Sequence, residues 1–168
     1  GPPEDAAGQG AEQPQEQDAQ EAELPFDVWR RIIVTFAEHG GFYIRLTGGE
    51  PTVRSDFFDL VDTIHEVGVR VGLNSNGAYG VAMTDRILEH GIKDIRLSLD
   101  GPEAVNGRLR WPGGYRQVLR TLQRIADYNQ RASQPACPTI NVVLSRENRH
   151  VIPEMVDLAC ATGAKVSF

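Results

Sequence analysis

A chain of 168 residues has room for one domain with a substantial core, and too little for two. Its net charge of −6 is unevenly placed: seven of the 23 acidic groups lie in residues 1–23, which hold no Lys or Arg, leaving sixteen against all seventeen basic residues in 24–168. That near-neutral body gives no reason to expect nucleic acid as a partner, the lack of a long apolar run gives none to expect a membrane, and two cysteines are too few for a disulfide framework or a self-contained zinc site.

Residues 1–23 are Gly, Pro, Gln, Glu and Ala without apolar periodicity, so an irregular acidic, Gln-rich tail is expected there, ahead of one domain over 24–168. Pro25 suits the first turn of a helix, and Trp29, Ile32, Ile33 and Phe36 follow at helical spacing until Gly40-Gly41. Phe42–Leu46 alternates as a strand does. Ser55 or Asp56 can cap a helix carrying Phe57, Leu60, Val61 and Ile64, which Gly68 ends.

The rhythm then repeats. Val69–Leu73 reads as a strand, Met83–His90 as a helix and Ile92–Leu99 as a strand. A longer helix carries Tyr115, Val118, Leu119, Leu122 and Ile125. Thr139–Leu144 is strand-like, Ile152–Ala161 helical, and Lys165–Phe168 starts one more strand. Such alternation demands parallel pairing through right-handed crossovers. The fold expected is α/β: a partial (β/α) barrel with a parallel sheet and outer helices, a window of a longer barrel. Cys137 and Cys160 read as small buried apolar residues.

In a barrel of this kind ligands sit at the C-terminal strand ends. Here those ends are polar and glycine-rich: "LTGGEP", "LNSNG", "SLDGPE" and "LSREN". Each alone reads as a turn, while four in succession on one rim point to a binding edge.

In this order the four motifs resemble the radical S-adenosylmethionine (radical SAM) family. The run "GGEPTVRSDFFDLVDTIHEVGVRVGLNSNG" with "IRLSLDGPE" is most similar to the branch of SPASM peptide-modifying enzymes and the molybdenum-cofactor GTP cyclase. The resemblance implies that Gly48, Gly49, Glu50 and Pro51 seat the methionyl part of SAM. Glycines let a backbone approach a ligand closely, and Pro51 restricts Glu50 to extended conformations. Glu50 then either touches the ligand or braces the turn. Ser98 matches a serine that contacts SAM, or is a small residue in a crowded interior. Arg110, with Arg108 as rival, matches an arginine that pairs with the SAM carboxylate, although Trp111 stands where glycine is usual. Asn148 matches an asparagine that approaches SAM, or shapes a turn. Arg45 and Asn74 match substrate-side positions of the cyclase, but Thr139 replaces a cyclase lysine, which favours another substrate such as a peptide.

The family also implies a 4Fe-4S cluster held by a C-x3-C-x2-C loop. Residues 1–136 contain no cysteine, so the cluster ligands are expected outside this chain, upstream of Gly1. With them the resemblance implies a cytoplasmic enzyme that generates a 5′-deoxyadenosyl radical and abstracts hydrogen from a small-molecule or peptide substrate. A flavodoxin or ferredoxin would serve as electron donor. The alternative is a degenerate, non-catalytic SAM- or peptide-binding module.

Overall fold

The computed structural model describes residues 23–168. The tail expected over 1–23 therefore lies outside the described residues, except for Glu23. Five strands, β1 (Tyr43–Leu46), β2 (Arg70–Ser75), β3 (Asp94–Ser98), β4 (Cys137–Asn141) and β5 (Lys165–Ser167), form one open sheet in the order β1-β2-β3-β4-β5. Every neighbouring pair is parallel. Helices α1 (Phe26–Glu38), α2 (Phe57–Glu66), α3 (Val81–Glu89), α4 (Glu103–Leu109), α5 (Gly114–Asn129) and α6 (Ile152–Thr162) supply the connections. The expected α/β partial barrel is what the chain forms.

The core lies between the helices and one face of the sheet. Val71, Leu73, Ile95, Leu97 and Ile140 from the strands, with Val142 just past β4, pack with Phe57, Ile64, Ile87, Leu122, Ile125 and Met155 from the helices. Side chains alternate along a strand, so the opposite face carries the intervening residues. These are Tyr43, Arg45, Arg70, Gly72, Asn74, Asp94, Arg96, Ser98, Cys137, Thr139, Asn141, Lys165 and Ser167, almost all polar.

Several expectations are corrected. Residue β4 starts at is Cys137, whose N–H donates to the Lys93 carbonyl at 2.7 Å, and β4 ends early because the Val143 N–H turns to the Asp100 carboxylate at 2.7 Å. Helix α4 is additional. Asn106 and Gly107 weaken its helical signal, but Asn106 is buried and accepts the Asp100 N–H at 3.0 Å. Asp56 occupies the N-cap position of α2 without capping it, because its carboxylate grips Arg54 at 2.8 and 2.7 Å. Both cysteines are exposed rather than buried. Helix α1 buries only Ile33, leaving Trp29, Ile32 and Phe36 exposed.

Candidate functional site

The predicted site residues fall into three groups along the polar face and its C-terminal rim. The first group joins the ends of β1 and β2. Gly48 and Gly49 are exposed, and a Cβ added at either would meet no atom within 4 Å. Gly48 has φ +149°, a backbone shape side chains rarely adopt. The strip is thus bare backbone facing open space, which is what close approach of a ligand needs.

Glu50 holds that strip in place. Its carboxylate accepts from the Thr52 hydroxyl at 2.7 Å, from the Asn76 N–H at 2.7 Å, and from the Ser75 hydroxyl at 3.0 Å on each oxygen. Both carboxylate oxygens are engaged by the protein, so Glu50 braces the turn. Tyr79 stands behind this brace, its phenol pushed up by burial. Pro51 opens a single 3-10 turn over Pro51–Val53. A cleft of about 630 Å³ runs along β1 and this rim, lined by Trp29, Leu46, Gly48, Gly49 and Pro51 among others. That volume lies in the range of small-ligand sites.

The second group joins the ends of β3 and β4 around Asp100, a residue the sequence did not single out. Its buried carboxylate accepts the Arg110 Nε–H and the Val143 N–H, each at 2.7 Å. Arg110 is thereby tied to a protein carboxylate. Asn148 is fully buried, and its amide is consumed by the loop. Nδ2 donates to the Asp100 and Val143 carbonyls at 2.9 Å, while Oδ1 accepts the Ser145 N–H at 2.7 Å. Of the two roles open to Asn148, the geometry is that of turn shaping. Ser98 ends β3 on the polar face, in register with Asn141.

The third group is the floor. Arg45 donates to Asp94 at 2.5 Å and to the Asn74 Oδ1 at 3.2 Å, so the two predicted substrate-side residues do meet. Tyr43 also donates to Asp94, at 2.8 Å. Partial burial pushes the Asp94 carboxyl up, but the hydrogen bonds from Arg45 and Tyr43 and the charges of Arg45 and Arg96 outweigh it and hold the group below its ordinary 3.8. Burial, then Asp94, pushes the Tyr43 phenol up. Gly72, between Arg45 and Asp94 in register, makes room: a Cβ there would sit 2.0 Å from the Tyr43 hydroxyl oxygen. Tyr43, Asp94 and Arg96 escaped the sequence reading. Their signal was a polar residue at every second position of strands in a parallel sheet, where apolar residues on both faces are usual.

A metal cluster finds no such place. Cys137 starts β4 and Cys160 lies in α6, and among the described residues no group of three or more His, Cys, Asp or Glu could hold a metal. A 4Fe-4S cluster is held mainly by thiolates, so this chain's residues do not fit one. No helix among the described residues is long and apolar enough to cross a membrane.

Residues 11–159 match the profile of the Radical SAM superfamily. The chain is 32% identical over 154 residues to a PqqA peptide cyclase of Methylorubrum populi, a stretch covering 90% of this chain and 39% of that protein. It is 38% identical over 130 residues to the mycofactocin maturase MftC of Mycobacterium tuberculosis, covering 73% of this chain and 31% of the relative. Among solved structures, SuiB of Streptococcus suis bound to S-adenosylmethionine superposes with a TM-score of 0.70 at 19% identity, over 84% of this chain and 32% of SuiB, a likeness of fold. The chain thus spans about two fifths of the peptide cyclase and a smaller share of the other two.

Proposed function

The chain belongs to the radical SAM superfamily, and on that premise we propose that it is the part of a peptide-modifying radical SAM enzyme that seats SAM and floors the substrate chamber. The family's cofactors are SAM and a 4Fe-4S cluster. The observation that carries the reading is the bare Gly48-Gly49 strip, fixed by Glu50, at the C-terminal edge of a polar sheet face. The strip's carbonyls accept from the α-ammonium group of SAM, and residues 24–168 act as one partial-barrel domain. SAM, when bound, would supply the hydrogen-abstracting chemistry of the family, with a cluster held by residues other than these and a flavodoxin or ferredoxin as electron donor.

The peptide cyclase and the maturase among its relatives support a peptide as substrate. Ser98 faces the ligand from β3, and Arg45 with Asn74 lines the substrate side. Arg110 would have to exchange Asp100 for the SAM carboxylate, so we assign it to holding the rim, with Asn148. A non-catalytic SAM- or peptide-binding module is the second reading, favoured by the placement of the two cysteines.

The test is calorimetric titration of SAM into the longest natural polypeptide containing this chain, reconstituted anaerobically, followed by assay of 5′-deoxyadenosine release. Binding with release supports the enzyme. Binding without release, with a chemical reductant present, supports a SAM-binding module, and no binding sinks the enzyme and leaves only a peptide-binding module.

A further inference from the structure

One part-buried cation on the polar face has no ion-pair partner among the described residues, while Arg70 and Lys165 on that face are exposed. Arg45, Arg54 and Arg110, with side chains one fifth exposed or less, each hold a carboxylate: Asp94, Asp56 and Asp100 respectively. Arg96, part-buried in the middle of β3, has no ion-pair partner among the described residues, and its Nε is buried without a hydrogen-bond partner. Asp94 cannot serve it well, being already bonded to Arg45 and Tyr43. A half-buried guanidinium without an acceptor bears a desolvation cost that a bound anion would offset.

The surroundings of Arg96 narrow the anion. Its register neighbours are Asn74 on β2 and Thr139 on β4, both neutral and able to donate. Asn74 spends its Oδ1 on Arg45, and its amide NH2 has no partner among the described residues. A guanidinium fork flanked by an amide and a hydroxyl suits a planar anion bound side-on. A single part-buried guanidinium between two neutral donors matches a carboxylate. Depth separates the sources of such a group. Arg96 lies two residues below Ser98 on the same face, about 7 Å further from the rim where SAM is placed.

We propose that Arg96, with Asn74 and Thr139 beside it, is the specificity anchor for a carboxylate of the substrate, so that the peptide presents an acidic side chain or its C-terminus to the floor of the sheet. The inference rests on the radical SAM reading of the rim and adds the chemical class of the substrate.

The test reads the wild-type protein, so no variant has to fold. The reconstituted full-length polypeptide is treated with phenylglyoxal, and labelling is mapped by peptide mass spectrometry. The added probes are N-acetylglutamate amide, N-acetylglutamine amide or SAM, with Arg45 and Arg110 as internal references. The expected result is that the glutamate probe slows labelling at Arg96 about fivefold, as one charge-assisted contact should, while the glutamine probe and SAM do not. Equal rates with the two amino-acid probes overturn the proposal. Protection by SAM alone overturns it too, because the carboxylate is then the cofactor's. An Arg96 that resists labelling with no probe present also overturns it, since the guanidinium is then paired within the protein. Titration of SAM into the same sample separates the two readings. Absent SAM binding sinks the assignment of the rim, whereas SAM binding without glutamate protection sinks only this inference.

Discussion

Glu50 at the end of β1 and Ser75 at the end of β2 are bound to each other through both carboxylate oxygens, at 3.0 Å each, and this contact fixes the glycine strip relative to the sheet. The Asn76 N–H adds a 2.7 Å bond to the same carboxylate. Because both Glu50 carboxylate oxygens are engaged by the protein, its loss should act on geometry. Glu50→Ala is expected to cost about 2 kcal/mol of stability and to weaken SAM binding about tenfold. Ser75→Ala should cost about half as much stability, since the backbone bond to Asn76 survives. Denaturant unfolding and SAM titration read the two effects. An alanine variant at 50 with wild-type stability and lost SAM binding would make Glu50 a ligand contact instead.

Gly49→Val and Gly48→Val separate space from backbone strain. At position 49 the φ is ordinary and the new Cβ meets nothing, so folding should survive within about 0.5 kcal/mol. SAM binding should nevertheless fall well below that of Asn74→Ala, because the side chain fills the approach to the strip. At position 48 the φ of +149° adds strain of about 1 kcal/mol or more. Matched thermal melts and SAM affinities decide. Unchanged SAM affinity in Gly49→Val would show that the strip is only a turn.

Asn148 is fully buried with donors on two carbonyls and its oxygen on an N–H, an arrangement no isostere reproduces. Asn148→Ala should cost about 2–3 kcal/mol. Asn148→Asp should cost more at neutral pH, because a carboxylate would face the Asp100 and Val143 carbonyls. Unfolding in urea measures both. If the aspartate variant is the more stable of the two, the amide is not holding the loop as described.

Acid should weaken the fold through Asp56 and Asp94. Hydrogen bonding to Arg54 holds the Asp56 carboxyl below its ordinary 3.8, despite partial burial, and Asp94 is held low by Arg45 and Tyr43 against its own burial. A carboxylate with a depressed folded pKa contributes stability fully present above its unfolded value and lost as pH falls through the folded value. Stability should therefore hold from neutrality down to about pH 5 and drop below about pH 4. Asp56→Asn should lower stability near neutrality by about 1 kcal/mol and flatten the acid slope. Urea midpoints from pH 7 to pH 2.5 check this, and an Asp56→Asn variant with the wild-type slope would refute the assignment.

The alternation of helix and strand, the parallel sheet and the glycine-rich rim were legible in the sequence because they are local. Apolar spacing marks each element, glycine and proline punctuate it, and the handed crossover leaves little topological freedom. Gly48-Gly49 could be placed on the rim from the string alone. What each polar side chain does was not local. Glu50 finds Ser75 and Asn76 twenty-five and twenty-six residues away, Arg45 finds Asp94, and Asp100 gathers Arg110, Val143 and Asn148. A carboxylate or guanidinium reads alike in sequence whether it faces a ligand or another part of the chain. Only register brings the partners within reach, so tertiary structure ties Asn148 and Arg110 to the Asp100 corner and leaves Arg96 as the part-buried arginine without an ion-pair partner among the described residues.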